Sequence, residues 1–348
     1  MNPSSPEIRR RAPGSRRGTP GGRQTLTLLG LSALLACGLT QAQSSAPQPS
    51  VRIGLQAGGT LSWVTFAIQY FGIDKDLGLK LDAQTYASKD ATRIALRSGA
   101  AQVVVDDFLE VTLLRQNRFD VSAVYPFSLL AGGLVVPTAS PISTVADLRG
   151  QTIGATSLTD KTLLLLRAYT RAKAGFDPQT ASKVVAVSSP LMGQFMGRGE
   201  VDAALPLWHH AARMIGSGEY RQVISSGELM KGLGLNTSTP LLYLIARTDT
   251  DPQALGLFVK AVLRAEERMK QDDGFWNAML EKNLYVLPDR AELPALRKQW
   301  AAGLPKSWTA ADLNNTVLLT RKMIEVAGPE VVGLTRLDTR ASNTTFRP

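Results

Sequence analysis

Acidic and aromatic residues follow short apolar runs, where a strand would end and a helix would begin. Asp106 and Asp107 come directly after one such run, and Trp208 and His209 follow another. A carboxylate there could pair with an ammonium group of a ligand, and an indole ring could stack on a flat ligand or face a cation. Asp is also a favoured helix N-cap residue, so one aspartate could cap the next helix while the other contacts a ligand.

Polar residues precede two further predicted helices in the first half of the chain. Thr60 or Ser62 can cap a helix that starts near Trp63, and Trp63 itself either contacts a ligand or packs in the core. Ser88 and Asp90 stand at another helix start, where capping is again the alternative role for Asp90. We carry all five side chains as candidate ligand contacts.

The third group comprises Ser157, Thr159, Asp160 and Lys161, at a helix start in the second half. Ser157 and Asp160 have the spacing of a capping box. The negative charge of Asp160 would oppose binding of a bare oxyanion, and the positive charge of Lys161 would partly offset this repulsion. The sign of the ligand charge therefore stays open. The acids at predicted strand ends mildly favour a neutral or cationic small organic molecule.

The sequence predicts no catalytic residue, metal or cofactor. His209 and His210 are the only histidines, and adjacent helical residues point about 100° apart, which does not suit a shared metal ion. His209 is a candidate hydrogen-bond donor to a ligand, with packing or surface exposure as its alternative. Gly54, Gly58 and Gly59 lack dinucleotide-binding spacing, and Walker, nucleophile-elbow and zincin motifs are absent.

Strands alternate with helices in both halves, which indicates an α/β fold with parallel sheets. The predicted strands of the first half are Val51 to Gln56, Leu79 to Tyr86, Val103 to Val105 and Val121 to Tyr125. The order then repeats, with strands at Gly150 to Gly154, Lys183 to Val187 and Val201 to Leu205. A predicted helix from Asp160 to Ala174 separates the first two of these.

Two apolar runs, Gly132 to Pro137 and Leu241 to Ala246, fit strands that cross between two lobes. We expect the first lobe to comprise 51–137 and 243–348, including helices in the tail, and the second lobe to comprise 138–242. Ligands of such sheets bind at the carboxyl ends of the strands, beside helix N-termini. The predicted site is therefore a cleft between two lobes that close around a ligand.

The start of the chain is interpreted as a secretion signal over 1–42, followed by a spacer over 43–50. Six arginines and one acid lie in the first 42 residues, so only +5 of the formal net charge of +10 remains beyond them. We therefore expect no nucleic-acid partner. Cleavage after Ala42 and lipidation of Cys37, in a sequence similar to a lipobox, stay as alternatives.

Several stretches resemble ABC-transporter solute-binding proteins of the nitrate, sulfonate and taurine type, a group that includes thiamine-pyrimidine-precursor binders. They are Val51 to Gly54, Tyr70 to Leu79, Arg97 to Gly99, Val145 to Gly154 and Gly199 to Ala204. The resemblance covers about 51–250. Trp208-His209-His210 departs from the acid and aromatic that family members often carry there, so ligand identity is not carried over.

The resemblance implies a type II periplasmic-binding-protein fold, with two Rossmann-like lobes joined by two crossover strands. It also implies a periplasmic protein, expected to be monomeric, that delivers a sulfonate-like, pyrimidine-like, amine or aromatic ligand to an inner-membrane permease. The implied ligand segments are 57–63, 88–91, 106–107, 156–161 and 206–209. A sensory ligand-binding module and a pyrimidine-synthase-like enzyme are the alternatives, but the enzyme would want a cysteine-rich motif and Cys37 is the only cysteine.

Overall fold

The computed structural model describes residues 47–343 and 345, which form two lobes, each built on a five-stranded sheet. The predicted signal segment and Cys37 lie outside the described residues. The strands are β1 (Ser50–Gln56), β2 (Lys80–Tyr86), β3 (Val103–Asp107), β4 (Val121–Ser128), β5 (Gly133–Pro137), β6 (Thr152–Ala155), β7 (Lys183–Ala186), β8 (Ala203–Leu205), β9 (Tyr220–Ser225) and β10 (Leu242–Arg247).

The two sheets have the same plan. The first has the order β2-β1-β3-β10-β4 and the second the order β7-β6-β8-β5-β9. In the first sheet β1 is parallel to β2 and β3, whereas β10 is antiparallel to both of its neighbours. In the second sheet β5 is the antiparallel strand. Each sheet therefore contains one strand that enters from the other lobe, as expected for two crossover strands, and neither sheet is wholly parallel as the sequence had suggested.

One crossing between the lobes depends on a glycine. Gly132, just before β5, has a φ of 138°, a conformation that side chains other than glycine rarely adopt. A Cβ at this position would also collide with the carbonyl oxygen of Pro206. The backbone after β8 can therefore approach the crossover directly.

Helices connect the strands and cover the sheets. The first lobe has α1 (Leu61–Tyr70), α2 (Ile73–Asp76), α3 (Lys89–Ser98) and α4 (Glu110–Gln116) before the crossing. The second has α5 (Lys161–Ala174), α6 (Pro178–Ala181), α7 (Met192–Gly197), α8 (Trp208–Gly216) and α9 (Ser226–Gly232). The tail contains α10 (Pro252–Gln271), α11 (Asp273–Glu281), α12 (Leu293–Ala302), α13 (Ala310–Ala327) and α14 (Pro329–Val332). Short 3-10 helices occupy Val145–Leu148, Ser189–Leu191, Arg290–Glu292 and Thr339–Ala341.

The 20-residue helix α10 illustrates why the tail folds as it does. Asp251 caps it by accepting from the backbone N–H groups of Gln253 and Ala254. Buried apolar side chains then recur at helical spacing, among them Leu255, Phe258, Val259 and Val262. This stripe packs against α1 and forms the core beside the first sheet.

Helix α13 departs from the expectation that the tail packs on the first lobe alone. It lies against α5 of the second lobe, and Arg171 of α5 donates a hydrogen bond to the carbonyl oxygen of Ala327 at its end. On its other side Thr316 hydrogen-bonds Tyr243 of β10 at 2.9 Å. One hydrophobic cluster therefore runs through both lobes beneath α13.

The remaining differences from the sequence predictions are local. The segment Tyr220–Ser225 forms a strand and Ser226–Gly232 a helix, neither of which was predicted. The expected Ser157–Asp160 capping box is absent, because Asp160 itself is the N-cap of α5 and accepts from the backbone N–H of Thr162 at 2.8 Å. Strand β4 extends three residues beyond the predicted end at Tyr125.

Candidate functional site

A small cavity of about 50 Å³ lies where the carboxyl ends of β1 and β3 face those of β6 and β8. Its walls come from both lobes. The lining residues are Gly54, Gln56, Gly59, Thr60, Leu61, Lys89, Val105, Asp106, Leu130, Ala131 and Leu242 from one side, and Thr156, Asp160, Lys161, Leu207, Trp208 and His209 from the other. All five segments implied by the family resemblance contribute to this lining.

The N-termini of three helices meet at the cavity, since Leu61, Lys161 and Trp208 are the first residues of α1, α5 and α8 and all line it. None of the three helices has an acidic residue in its first turn. Helix N-termini carry free N–H groups and a partial positive charge. Thr60 is the N-cap of α1, yet its hydroxyl makes no capping hydrogen bond. The cavity therefore offers several donors to an acceptor group.

Asp106 lies at the cavity, but its charge is already compensated. Its carboxylate lies 2.9 Å from the Lys89 ammonium and 2.7 Å from the Arg93 guanidinium, and all three side chains are buried. Burial would raise the pKa of Asp106, but the two cations outweigh it and hold the pKa well below its usual range. Asp106 is therefore an ionised carboxylate that needs no cation from a ligand.

Asp107 does not line the cavity. One carboxylate oxygen accepts from the backbone N–H groups of Leu109 and Glu110 at 3.2 Å each, and the other lies 2.5 Å from Lys89. Asp107 thus stabilises the start of α4, which was the alternative role considered for one of the two aspartates. The pair divides the roles, with Asp106 at the cavity and Asp107 at the helix.

Asp160 and Lys161 lie together at the cavity wall, each with about 2% of its surface exposed. Asp160 accepts a hydrogen bond from the Thr156 hydroxyl at 2.8 Å and lies 3.7 Å from the Lys161 ammonium. Burial opposes ionisation of Asp160, but Lys161 and Lys89 outweigh it and lower the pKa to about 2. Among the described residues, Asp160 is the one salt-bridge partner of Lys161, so this ammonium retains donors for a ligand.

Of the two tryptophans, Trp208 reaches the cavity and Trp63 does not. Trp63 is fully buried and donates from Nε1 to the carbonyl oxygen of Leu284 at 3.3 Å. Its ring packs edge-to-face against Trp208, Trp276 and Tyr285 at centroid distances of 6.0, 6.0 and 5.2 Å. Trp63 is therefore a core residue that supports Trp208.

His209 links the lobes beside the cavity. Its Nε2 lies 2.6 Å from the carbonyl oxygen of Gly58, which can only accept, so Nε2 carries a proton. The Tyr285 hydroxyl donates to the backbone oxygen of His209 at 2.6 Å. Burial and the neighbouring His210 lower the pKa of His209 well below 6.5, so the ring is neutral. Its Nδ1 is buried and has no hydrogen-bond partner in the described part of the chain.

The five other predicted residues, Ser62, Ser88, Asp90, Ser157 and Thr159, do not line the cavity. Ser62 donates to the carbonyl oxygen of Gly59, and Ser88 caps α3 through Ala91. The Asp90 side chain is 66% exposed and lies 3.4 Å from Arg93. Ser157 and Thr159 hydrogen-bond each other at 3.1 Å, and Thr159 also accepts from Arg93. These residues shape the loops around the cavity.

Sequence reasoning missed the cations that neutralise the aspartates. Lys89 and Arg93 are four residues apart, so they lie on one face of α3 and reach the end of β3 together. This spacing was a usable signal. The pairing removes the basis for expecting a cationic ligand, because both acids at the cavity already have a cation beside them.

Nothing in the described part of the chain suggests a resident metal, since His, Cys, Asp and Glu side chains form no cluster of three that could hold one. In the same part of the chain, no helix combines the length and apolar character needed to cross a bilayer.

The family model described as "NMT1/THI5 like" matches residues 69–273, more than half of the chain. The chain belongs to the NMT1/THI5-like family. This confirms the resemblance seen in the sequence to a group of solute-binding proteins that includes thiamine-pyrimidine-precursor binders. No match was found among curated proteins.

Solved structures similar to this NMT1/THI5-like chain confirm the fold. The alkanesulfonate-binding protein SsuA from Xanthomonas axonopodis pv. citri, bound to MOPS, is 17% identical with a TM-score of 0.67, over 86% of this chain and 99% of that one. The aliphatic sulphonate binding protein SsuA from Escherichia coli is 17% identical with a TM-score of 0.60, over 85% and 92%. The nitrate-binding protein NrtA from Synechocystis PCC 6803 is 14% identical with a TM-score of 0.58, over 70% and 68%.

Proposed function

We propose that this protein is the solute-binding component of an ABC importer and captures a small organic molecule in the cleft between its lobes. The cleft lies between the lobe built on the first sheet and the lobe built on the second. The expected lobe boundary at 137 assigns β5 to the first lobe, whereas β5 pairs with β8 and β9 in the second. The observation that carries the proposal is the convergence of three helix N-termini and Lys161 on one cavity lined by both lobes. The protein acts by binding, and the ligand leaves chemically unchanged.

The chemistry of the cleft favours a ligand with an oxyanion or another strong acceptor. Lys161, the Thr60 hydroxyl and the N–H groups of Leu61 and Trp208 at the starts of α1 and α8 are donors. Asp160 already caps α5, and Asp106 and Asp160 are occupied by their own partners. A sulfonate group fits this arrangement, in line with the sulfonate-binding proteins that share the fold. Trp208 provides an apolar surface beside it. We propose delivery of this ligand to an inner-membrane permease from the periplasm, with the protein monomeric.

A ligand must also shift the balance between open and closed lobes. The present cavity of about 50 Å³ admits only a few water molecules, whereas small-molecule sites usually measure about 300–1,000 Å³. The lobes or the side chains between them therefore have to move for a ligand to enter. A ligand can drive closure only by binding the closed form better than the open one.

The test is a thermal-shift screen of the purified protein with sulfonates, pyrimidines, amines and aromatic acids, followed by calorimetry of any hit. A ligand at a hundredfold excess over its Kd stabilises the folded state by about 2.7 kcal/mol. We expect a sulfonate hit with one ligand per chain, recovered unchanged after release. If no compound of the panel binds, or if a bound compound is turned over, the proposal is wrong.

The control variant in the screen is Lys260→Met, which makes the same lysine-to-methionine change as the variants discussed below but on the exposed face of α10. This variant removes a lysine remote from the cleft and should give the same hits as the natural protein. A hit that disappears in this control reflects surface charge and does not count as support.

A further inference from the structure

Helix α8 of the second lobe begins directly against the first lobe. Its residue His209 donates from Nε2 to the carbonyl oxygen of Gly58 at 2.6 Å, and the backbone oxygen of His209 accepts from the Tyr285 hydroxyl at 2.6 Å. The His209 ring also packs against Trp63 at a centroid distance of 5.2 Å. All three partners belong to the first lobe, so the first turn of α8 connects the lobes beside the cleft.

His210 lies against the same part of the first lobe. Its ring centroid is 4.4 Å from that of His209 and 6.4 Å from that of Tyr285, and about 5% of the residue is exposed. The backbone of Gly58 approaches this ring so closely that a Cβ there would lie 3.1 Å from Nε2. Closure of the lobes therefore buries two adjacent imidazole rings. We call His209, His210, Gly58 and Tyr285 the histidine latch.

The histidine latch suits neutral rings. Among the described residues, Nδ1 of His209 and both ring nitrogens of His210 are buried without a hydrogen-bond partner. A protonated imidazole carries an N–H on each nitrogen, so protonation would add a buried positive charge and a donor that nothing accepts. Burial accordingly lowers the pKa of both rings, that of His210 to about 4. The Gly58 carbonyl opposes this shift in pKa but does not outweigh burial.

The charged groups nearby do not offset a proton on either ring. Arg213, one turn further along α8, is itself a cation and lowers the pKa of both histidines. Burial raises the pKa of Tyr285 above its ordinary value, so this hydroxyl is neutral, and Glu292 acts on it rather than on the rings. The other charged groups on the cleft wall form two pairs, Lys89 with Asp106 and Lys161 with Asp160.

We propose that the histidine latch couples closure of the lobes to the loss of protons from His209 and His210, so that mild acid favours the open form. Separation of the lobes gives both rings access to water, and a hydrated histidine takes up a proton near pH 6.5. Those protons must leave before the latch can close again. The inference rests on the proposed binding function and adds its regulation, because closed lobes that open in acid release what they hold.

The test follows the purified protein without ligand from pH 8 to pH 5, by small-angle X-ray scattering and by NMR of the imidazole protons. The chain has two histidines, so the two ring signals can be followed separately. A ring whose pKa is 6.5 when hydrated and about 4 in the latch raises the ratio of open to closed molecules about thirtyfold over this range. We expect the radius of gyration to rise as the rings become protonated, with an unchanged circular dichroism spectrum.

Two variants separate the latch from a general effect of acid. His209→Gln combined with His210→Phe keeps a donor for the Gly58 carbonyl and cannot take up a proton here, so its radius of gyration should stay constant. Tyr285→Phe removes a latch hydrogen bond that does not titrate. It should favour the open form already at pH 8 and move the NMR midpoints of both rings towards 6.5.

The matched control is Tyr243→Phe, which removes another buried tyrosine hydrogen bond, to Thr316, and should leave both midpoints unchanged. Equal radii of gyration at pH 8 and pH 5 in the natural protein would overturn the latch. An equal rise in the natural protein and in the double histidine variant would do the same. Neither result bears on the proposed binding function, which depends on whether a compound of the screen binds.

Discussion

The ammonium group of Lys89 lies 2.9 Å from the Asp106 carboxylate, and both side chains are buried. Arg93 joins them from one turn further along α3, and Asp107 and Glu110 complete the group. Burial would lower the pKa of Lys89, but the two aspartates outweigh it and raise the pKa above its ordinary value. The cluster thus fixes α3 to the end of β3 at the edge of the cleft.

Removal of one partner from this cluster should destabilise the protein strongly. We expect Lys89→Met to lower the free energy of unfolding by about 3–5 kcal/mol, because it leaves buried carboxylate charge that Arg93 alone must balance. Urea denaturation measures the loss, with the exposed Lys260→Met as the control. Asp106→Asn added to Lys89→Met should restore part of the stability. Equal stabilities of Lys89→Met and Lys260→Met would contradict this account of the cluster.

Lys161 should contribute to both binding and folding. A hydrogen bond to a charged group contributes about 1.5–3 kcal/mol, so Lys161→Met should weaken sulfonate binding by about ten- to a hundredfold. Its loss also removes the nearest cation from buried Asp160, so the free energy of unfolding should fall as well, although the hydrogen bonds from Thr156 and Thr162 remain. Calorimetry at a temperature where the variant is folded gives the affinity. An affinity of the folded variant equal to that of the natural protein would show that this ammonium does not contact the ligand.

Stability should fall in mild acid because of His210. Burial and Arg213 lower the pKa of His210 from 6.5 to about 4, so the unfolded chain takes up a proton first as the pH falls. The contribution of His210 is therefore complete above about pH 6.5 and is lost between about pH 6.5 and 4, by about 3 kcal/mol. The lowered pKa of His209 likewise reduces the stability of the folded protein as the pH falls.

The variant His210→Phe isolates this contribution. Its free energy of unfolding should depend less steeply on pH than that of the natural protein between about pH 4 and 6.5. The difference between the two proteins is the measurement, and it includes the change at His209, whose pKa His210 helps to lower. Parallel curves over this range would show that His210 does not contribute to the acid sensitivity.

Glu266 should have the opposite pH dependence. It is buried and accepts from the Tyr125 hydroxyl at 3.0 Å, and burial raises its pKa from 4.5 to about 8. The stabilising contribution of protonated Glu266 is complete below about pH 4.5. It is lost as the pH rises from there through about 8, because the unfolded chain gives up this proton first. Glu266→Gln should therefore be more stable than the natural protein above pH 8, by up to about 5 kcal/mol, and similar to it near pH 4. Thermal unfolding across this range tests it, and a pH-independent difference would contradict it.

The sequence was sufficient for the architecture because apolar runs and glycine stops repeat in both halves. The crossover strands β5 and β10 were identified from their apolar runs, and the ends of α10 from Pro252 and its apolar stripe. The strand β9 was missed because Tyr220–Ser225 alternates weakly and is only partly buried. The antiparallel direction of the crossover strands was missed because strand direction depends on which sheet a strand joins.

The predicted site segments all contribute to the lining of one cavity, but the sequence could not show which side chains face it. Position along the chain shows that Trp63 starts a helix, but not that its ring points to Trp276 and Tyr285. Similarly, nothing adjacent to Asp106 reveals that Lys89 neutralises it from another element. Tertiary contacts decide which of two neighbouring polar residues faces a ligand.

The position of α13 constrains how the two lobes can move. Two connecting strands by themselves would let the lobes rotate about a single hinge axis. Because α13 touches both β10 and α5, any such swing must either slide α5 along α13 or carry α13 with it. Any opening of the two lobes is therefore coupled to α13, and if the proposed ligand drives closure, a spin label on α13 would register its capture.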